Sequence, residues 1–336
     1  MKPFKFKPIL KSIVWGGNRI APYKGIATDQ KNIGESWELS GVKGEESVVA
    51  EGEYEGWRLP DLIERLGGQL VGNTVYMRHG NEFPLLIKFI DAEKDLSIQV
   101  HPDDELSRAR HGKNGKTEMW YVVDAGNGAH LKSGLTKSIT PDEYCQLVAD
   151  GKITDVLQDY EVHPGDVFFL PAGRIHAIGA GSFVAEIQQT SDVTYRIYDY
   201  GRKGLDGKPR QLHTDMAKYA IDYHVHPDYR TSYTPKIDES VELVSCKYFK
   251  TDLLELDKDY SLDLTGIDSF MVVMCLDGEA DFIDEENDTT HIKRGDTILI
   301  PAISERYRIC PDKKARFLLS YIKQDSEIDG TAFETK

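Results

Sequence analysis

Two short segments of this chain carry side chains of the types that bind divalent metal ions. In the first, Ser97, Gln99 and His101 recur at every second position of a segment rich in β-forming residues, so a strand would direct all three to one face. In the second, His176 follows a proline and glycine turn, and Glu118 lies between the two segments. Two neutral imidazoles, one carboxylate and an uncharged amide oxygen suit zinc. The residues therefore predict one metal site with four ligands: Gln99, His101, Glu118 and His176.

The segment that ends at His176 resembles the second motif of the cupin superfamily. Gly165 is followed by five residues, then Pro171, one residue, Gly173, two residues and His176. Gly165 would form the turn that begins a strand over residues 167–170. Pro171 and Gly173 would then bend the chain so that His176 points into a barrel.

The first cupin motif is matched less closely. Gln99 replaces the usual histidine, and Glu118 lies much farther from His101 than the few residues that normally separate them. This long gap is typical of the type I mannose-6-phosphate isomerases, which residues 86–123 resemble. The resemblance continues in family order through residues 15–17, 34–38, 171–176 and 186–196. At 336 residues the chain is most similar to the short bacterial form, which lacks the large helical insertion of the longer enzymes.

The resemblance implies an enzyme that interconverts mannose 6-phosphate and fructose 6-phosphate, an aldose-ketose isomerase with one zinc ion per chain. A proton moves between C2 and C1 through a cis-enediol or enediolate intermediate, and a second proton moves between the two oxygens. The ion would either bind or orient the sugar oxygens or mainly hold the pocket in shape. The expected partner is thus a small sugar phosphate.

Four further residues take roles from the same resemblance. Arg196 matches the catalytic arginine of the family, and its fixed charge suits either the enediolate oxygen or the phosphate. Lys116 and Asp192 match positions with acid-base or substrate-contacting roles, and Asp192 or a water on the metal is the preferred proton carrier. The alternative to a catalytic role is an ion pair for Lys116, and for Asp192 it is the orientation of Arg196. Ser97 would contact the substrate through its hydroxyl group or simply face the cavity.

Composition narrows the classes of protein. Of the residues, 40% are hydrophobic and 29% are charged, and no apolar run approaches 18 residues, so no transmembrane helix is expected. The N-terminus lacks an apolar signal-peptide core, so a cytoplasmic protein is expected. A formal charge of −15 argues against nucleic acid and anionic membranes as partners. Four scattered cysteines argue against a disulfide framework or a thiolate zinc site.

Because the net charge of the chain is negative, an anionic substrate needs local positive charge at the site. This charge would come from Lys116, Arg196, Arg202, Lys203 and the metal.

An internal repeat predicts two related domains. At an offset of 130 residues, Gly165-Asp166 aligns with Gly295-Asp296, residues 170–172 align with 300–302, and His176 falls on Arg306. The fold expected is mainly β, with two cupin-like jelly-roll barrels and a few short helices. The boundary is placed near Pro235, in a polar stretch with low periodicity. Residues 1–234 would form the metal-binding catalytic domain, with an N-terminal extension and small helical insertions, and residues 235–336 a domain without ligands. A monomer or weak homodimer is expected.

Helices are predicted in two places. An apolar pattern begins at Leu59-Pro60-Asp61 and stops at Gly67-Gly68, and a capping box begins a second helix at Thr140. Both helices are interpreted as scaffold.

Three alternatives stay open. His224-Val225-His226 has the spacing of a ligand pair and is a rival metal site. A metal-dependent cupin oxygenase would need an iron-type site with open positions. A non-catalytic sugar-phosphate-binding cupin would be favoured by loss of a ligand or of Arg196.

Overall fold

The computed structural model describes residues 1–324. Within this range the chain forms 23 strands, seven α-helices and one 3-10 helix. The strands are β1 Phe4–Lys7, β2 Ile9–Gly17, β3 Ile33–Ser40, β4 Val48–Val49, β5 Leu85–Asp91, β6 Ile98–Val100, β7 Glu118–Ala125, β8 His130–Leu135, β9 Leu157–Glu161, β10 Val167–Leu170, β11 His176–Ile178, β12 Ser182–Gln189, β13 Tyr195–Tyr198, β14 Arg230–Thr231, β15 Ser240–Ser245, β16 Lys250–Leu256, β17 Tyr260–Asp263, β18 Met271–Asp277, β19 Glu279–Asp284, β20 Thr289–Lys293, β21 Thr297–Ile300, β22 Arg306–Pro311 and β23 Ala315–Tyr321. The helices are α1 Ile20–Lys24, α2 Leu59–Leu66, α3 Gly68–Val71, α4 Asn73–His79, α5 Asp104–His111, α6 Pro141–Ala149 and α7 Thr214–Ala217, with the 3-10 helix over Ile153–Val156.

The strands form four antiparallel sheets, and the mainly β prediction is confirmed. Sheet I has the order β14-β10-β7-β12-β5-β3-β2, and sheet II has the order β13-β6-β11-β8-β9. Sheet III has the order β15-β16-β23-β18-β21-β1-β4, and sheet IV has the order β17-β22-β19-β20. Sheets I and II come from the first two thirds of the chain, and sheets III and IV mostly from the last third.

Sheet I is buried on both faces, which explains why its central strands read as nearly continuous apolar runs. All seven residues of β5 are buried. Leu85, Ile87 and Phe89 belong to one buried apolar cluster with residues of sheet III, such as Val272. Ile90, on the opposite face, belongs to a second cluster that includes residues of sheet II. Because strand side chains alternate between faces, one set of positions on sheet I joins the two halves of the molecule and the other faces sheet II.

The outer face of sheet II is covered by helices. Its outward residues, Ile98 and Tyr195 among them, share a buried cluster with Tyr144 of α6 and Ala217 of α7. The capping box predicted for α6 is confirmed, because the side chain of Thr140 accepts a hydrogen bond from the backbone N–H of Glu143 and the Glu143 carboxylate accepts one from the backbone N–H of Thr140. Because α6 and α7 pack on the outer face of sheet II, its inner face can carry polar groups.

The two predicted helices are α2 and α6, but restricting helices to two places was wrong. Five more short helices occur within residues 1–324: α1, α3, α4, α5 and α7. The signals of α5 were legible, since Asp103 caps its first turn and Gly112 ends it with a φ of 63°. None of the helices in this range is both long and apolar enough to cross a bilayer.

The internal repeat corresponds to equivalent strands. β10 and β21 begin and end 130 residues apart, and β11 and β22 begin at His176 and Arg306. Gly165 and Gly295, at the turns before β10 and β21, both have positive φ, 96° and 87°. In addition, β1 from the start of the chain pairs with β21, with Phe4 opposite Leu299. The boundary near Pro235 stays a prediction, and residues 325–336 of the predicted second domain lie outside the described residues.

We expect Phe89→Ala to lower the free energy of unfolding by about 3–5 kcal/mol. Phe89 is completely buried between the two halves, where its ring contacts Tyr23 and Phe183, so truncation leaves a cavity. Urea denaturation followed by circular dichroism measures the change. The matched control is Met77→Ala, because Met77 is 79% exposed and should shift the free energy by less than about 0.5 kcal/mol. Equal effects of the two substitutions would contradict the packing described.

Candidate active site

Three neighbouring strands of sheet II direct polar side chains toward sheet I. On β6, Ile98 and Val100 enter the outer apolar cluster, which leaves Gln99 on the inner face. His176 on β11 and Arg196 on β13 both lie opposite Gln99 in the strand register. Directly opposed residues in antiparallel strands have Cβ atoms about 4.5–5.5 Å apart. The amide is thus flanked by an imidazole on one side and a guanidinium on the other.

Sheet I supplies the carboxylate that faces these strands. On β7, Met119 and Tyr121 belong to the apolar cluster between the halves, so Glu118 and Trp120 point the other way. Glu118 Oε1 lies 3.3 Å from Nε2 of His176, and Glu118 Oε2 lies 3.6 Å from Nε2 of His101. Ligand atoms of the three residues all lie within 4.8 Å of one another. The structure therefore brings together residues that are far apart in the sequence.

Gln99 lies beside this triad. Its amide Nε2 is 3.3 Å from Nε2 of His176. A half-turn of the amide group exchanges its nitrogen with its oxygen, so the same placement can present an oxygen ligand. All four predicted ligands are therefore within reach of a common centre.

Both imidazoles are oriented by backbone carbonyl groups. Nδ1 of His101 lies 2.9 Å from the carbonyl oxygen of Val193, and Nδ1 of His176 lies 2.8 Å from that of Arg174. A carbonyl oxygen only accepts, so Nδ1 carries the proton and Nε2 presents its lone pair to the cluster. This is the tautomer that a metal ligand needs.

The protonation equilibria of the triad reflect burial. Burial lowers the pKa of His101 well below its ordinary value and lowers that of His176 to about 3, and the positive charge of Lys116 acts in the same direction. Burial raises the pKa of Glu118 to about 7, against the opposing effect of Lys116. Neutral imidazoles are competent ligands, and a cation would favour the ionised form of Glu118.

The triad contains buried polar atoms that lack hydrogen bonds. Nε2 of His101 and both carboxylate oxygens of Glu118 have no hydrogen-bond partner among the described residues. Lys116 Nζ lies 2.7 Å from Glu118 Oε2 and forms an ion pair that offsets part of the cost of burying this carboxylate. Buried polar groups without partners are costly. One divalent cation would satisfy these atoms together, and the two imidazoles, carboxylate and amide suit zinc.

The other predicted residues line a cavity of about 260 Å³ beside the triad. Ser97, Lys116, Asp192 and Arg196 all contribute to its wall, together with Gln99. Asp192 is the most exposed of these, since its carboxylate is 44% accessible and pairs with Lys113 at 2.7 Å. The structure thus groups all the predicted residues around one space, with Asp192 at its open side.

Sequence reasoning missed a buried ion pair in the same wall. Nζ of Lys88 on β5 lies 3.0 Å from Oε1 of Glu186 on β12 and 3.6 Å from Oε2 of Glu35 on β3. Burial alone would raise the pKa of Glu186, but Lys88 and Lys116 lower it to about 2. The other oxygen of Glu186 accepts a hydrogen bond from the indole N–H of Trp120 at 2.8 Å. A lysine in the middle of one mainly apolar segment and a glutamate in the middle of another were the signal that could have found this pair.

The rival pair does not join the triad. His224 and His226 both lie near the carboxylate of Asp222, at 2.7 Å and 3.8 Å. The side chain of His224 is 90% exposed. Within residues 1–324, His101, Glu118 and His176 are the only group of three such residues with convergent ligand atoms.

Comparison with known proteins identifies the family. Residues 4–127 match the catalytic domain of type I phosphomannose isomerase, and residues 239–322 match the cupin domain of mannose-6-phosphate isomerase. Mannose-6-phosphate isomerase ManA of Bacillus subtilis (strain 168) is 35% identical over 306 residues, which cover 89% of this chain and 93% of that protein. The chain belongs to the type I phosphomannose isomerase family. A mannose-6-phosphate isomerase of Streptococcus mutans is 39% identical over 204 residues, 61% of this chain and 63% of that protein.

Solved structures agree with this assignment. The crystal structure of mannose 6-phosphate isomerase from Bacillus subtilis matches with a TM-score of 0.86 and 30% identity, covering 96% of this chain and 100% of that one. A variant of phosphomannose isomerase from Salmonella typhimurium matches with a TM-score of 0.80 at 18% identity over 96% of this chain and 100% of that one, which shows a shared fold. The predicted family, the cupin-type fold and the prediction of an enzyme are confirmed. The ligand set and the roles of single residues stay predictions.

We expect His176→Ala to abolish metal binding, because it removes one ligand and leaves His101 as the single imidazole beside Glu118. Metal content after dialysis, measured by inductively coupled plasma mass spectrometry, should fall from about one ion per chain to well below half. His224→Ala is the matched control and should keep the ion. A full complement of metal in His176→Ala would remove His176 from the site, and loss of metal in His224→Ala would point to the rival pair instead.

Proposed function

We propose that this chain interconverts mannose 6-phosphate and fructose 6-phosphate, with one zinc ion held by Gln99, His101, Glu118 and His176. The observation that carries the proposal is the convergence of buried ligand atoms of His101, Glu118 and His176 within 4.8 Å of one another, beside Gln99, which lines the adjacent cavity. Membership in the type I phosphomannose isomerase family supplies the substrate class. We place the reaction in the cytoplasm and in a monomer or weak homodimer, and the charge of −15 makes nucleic acid and anionic membranes poor partners.

The reaction needs a weakly acidic proton to leave C2 or C1, so negative charge develops on the neighbouring oxygen. When bound, zinc supplies a fixed positive charge that polarises the sugar oxygens and stabilises the cis-enediolate. Side chains of the protein would transfer the protons, bind the substrate and stabilise the remaining charge.

Arg196 would stabilise developing charge beside the metal ligands. Its position opposite Gln99 in the register places it on the ligand side of the cavity. Its Nε is buried without a hydrogen-bond partner among the described residues, and its Nη1 donates to the carbonyl oxygen of Gln211 at 3.1 Å. A guanidinium keeps its charge throughout the pH range of enzyme assays. Arg196 is therefore suited to a charge that appears only during the reaction.

Lys116 and Asp192 divide the remaining roles. The ammonium group of Lys116 lines the cavity beside Glu118, where it could donate hydrogen bonds to substrate oxygens. A carboxylate is already a base at neutral pH, so we assign the carbon proton to Asp192. Asp192 lines the cavity and is 44% exposed, and it would exchange its ion pair with Lys113 for contact with a bound sugar. Ser97 would donate a hydrogen bond to a sugar oxygen.

Arg196→Ala should lower kcat for mannose 6-phosphate about 100-fold or more, because it removes charge stabilisation from the transition state. Steady-state kinetics measure kcat and KM, and metal analysis should still find about one ion per chain. Arg65→Ala, an exposed arginine in α2, is the control and should leave both parameters unchanged. An unchanged kcat with a raised KM would reassign Arg196 to ground-state binding.

Removal of the metal should abolish isomerisation, and zinc should restore it. The assay couples fructose 6-phosphate formation to NADPH production through glucose-6-phosphate isomerase and glucose-6-phosphate dehydrogenase, with chelator removed before the coupling enzymes are added. Circular dichroism of the chelated protein separates loss of the ion from unfolding. Full activity in folded, metal-free protein would reject the zinc-dependent mechanism, and no activity in the zinc-loaded protein would reject the proposed substrate.

A further inference from the structure

A second arginine lines the cavity beside Arg196. Arg210 contributes to the same wall and is held by Asp199 through two hydrogen bonds, one from Nε at 2.7 Å and one from Nη2 at 2.5 Å. Its side chain is only 19% exposed. These bonds use two of the five N–H groups of the guanidinium. No other acceptor for Arg210 occurs among the described residues, so its remaining N–H groups are available to a ligand.

The carboxylate of Asp199 is shared with a third arginine. Arg202 donates to Asp199 Oδ1 from Nε at 3.2 Å and from Nη2 at 2.6 Å, and its Nη1 donates to the carbonyl oxygen of Asp95. Asp95 lies two residues before Ser97, which also lines the cavity. Asp199 itself is 5% exposed. Arg202 thus ties Asp199, and through it Arg210, to the segment that leads into β6.

The loop between these residues closes back on Arg196. It leaves β13 at Asp199, where Tyr200 adopts a φ of 55°, a conformation that favours glycine. It returns so that the carbonyl oxygen of Gln211 accepts from Arg196 Nη1 and the N–H of His213 donates to the Arg196 carbonyl oxygen at 2.7 Å. The returning limb therefore lies beside β13 and brings Arg210 to the cavity that Arg196 also lines.

The three arginines leave positive charge uncompensated. Arg202 and Arg210 share the carboxylate of Asp199, and Arg196 has no carboxylate within ion-pair distance among the described residues, which leaves a surplus of two charges in a chain whose formal charge is −15. Burial lowers the pKa of Arg196, and Arg210 lowers it further. Burial alone would raise the pKa of Asp199, but the hydrogen bonds from Arg210 and Arg202 lower it. A phosphate monoester, with a charge between about −1.5 and −2 at neutral pH, would balance this surplus.

We propose that Arg210 binds the phosphate group of the sugar phosphate, and that Asp199 and Arg202 are positioning residues that hold its guanidinium at the cavity wall. The inference rests on the proposed function for the identity of the substrate. It also divides the work between two neighbouring arginines: Arg196, next to Gln99, acts at the reacting carbons, and Arg210 holds the far end of the sugar. A planar guanidinium suits a phosphate because two of its N–H groups can donate in parallel.

The test compares Arg210→Gln with Lys208→Gln, a matched loss of charge at an exposed position in the same loop. KM for mannose 6-phosphate and Ki for inorganic phosphate as a competitive inhibitor should both rise about tenfold or more in Arg210→Gln. Its kcat should fall less than about threefold, and Lys208→Gln should resemble the parent. Asp199→Asn should raise both constants as well, by a smaller factor, because the side-chain amide retains one acceptor.

Two results would overturn the proposal. The first is a large fall in kcat for Arg210→Gln with KM and Ki unchanged, which would place Arg210 at the reacting carbons. The second is an equal rise in both constants for Lys208→Gln, which would reveal only a long-range charge effect. If Arg210→Gln fails to fold, Arg210→Lys replaces it; the lysine keeps the charge but loses the planar fork, so an unchanged Ki for phosphate would count against Arg210 as the phosphate ligand.

Calorimetric titration of the zinc-loaded protein with mannose 6-phosphate separates this inference from the proposed function. If the parent protein binds the sugar phosphate without isomerising it and Arg210→Gln loses that binding, the phosphate subsite stands and the proposed activity fails. If the parent isomerises mannose 6-phosphate and Arg210→Gln binds it equally well, the activity stands and the subsite fails.

Discussion

The site depends on the burial of a carboxylate between two neutral imidazoles. Glu118 is fully buried, and its oxygens lack hydrogen bonds from the described residues. Such an arrangement is unfavourable by itself, because a buried charge or an unpaired polar group costs free energy. A divalent cation would balance it, and the carbonyl groups that fix Nδ1 of His101 and His176 aim both lone pairs at the same place. Polar side chains surround the Glu118 carboxylate because a charge buried among apolar groups would be unfavourable.

Sheet I makes that burial possible. One of its faces packs against the apolar face of sheet III, so the central strands stay fixed while the other face carries Glu118, Lys88 and Glu186. The helices on the outer side of sheet II pack against β6 and β13 and hold these strands in place. Alternation along each strand then places an apolar anchor next to each functional residue. The second half of the molecule therefore supports the site without contributing ligands from its described residues.

Charge is arranged along the cavity rather than spread over the protein. Lys116 lies beside the triad, Arg196 lies next to Gln99, and Arg202 and Arg210 pair with Asp199. The overall negative charge would repel an anionic substrate, so attraction must come from these local groups. A triad of metal-binding type with arginines beside it suits a substrate that carries both a reacting carbonyl and a phosphate.

The chain by itself determined the family, the mainly β fold, the repeat and the candidate ligands. These follow from local patterns: period-two alternation at residues 97–101, glycine and proline at the turn before His176, and the capping box at Thr140. Such patterns depend on covalent geometry and on neighbours a few residues away, so they are legible in the sequence. The short helices without strong periodicity, such as α3 and α7, were not, because tertiary packing stabilises them.

Only the tertiary structure decided which distant residues meet. The pairing of β1 with β21, the Lys88–Glu186 ion pair and the sharing of Asp199 by Arg202 and Arg210 all join segments by strand order or loop closure. No local spacing encodes these contacts, because they arise when sheets stack and a loop returns to its own strand. The charge of a lysine or arginine is readable from the chain, but whether that side chain faces solvent, a carboxylate or a substrate cavity depends on this long-range packing.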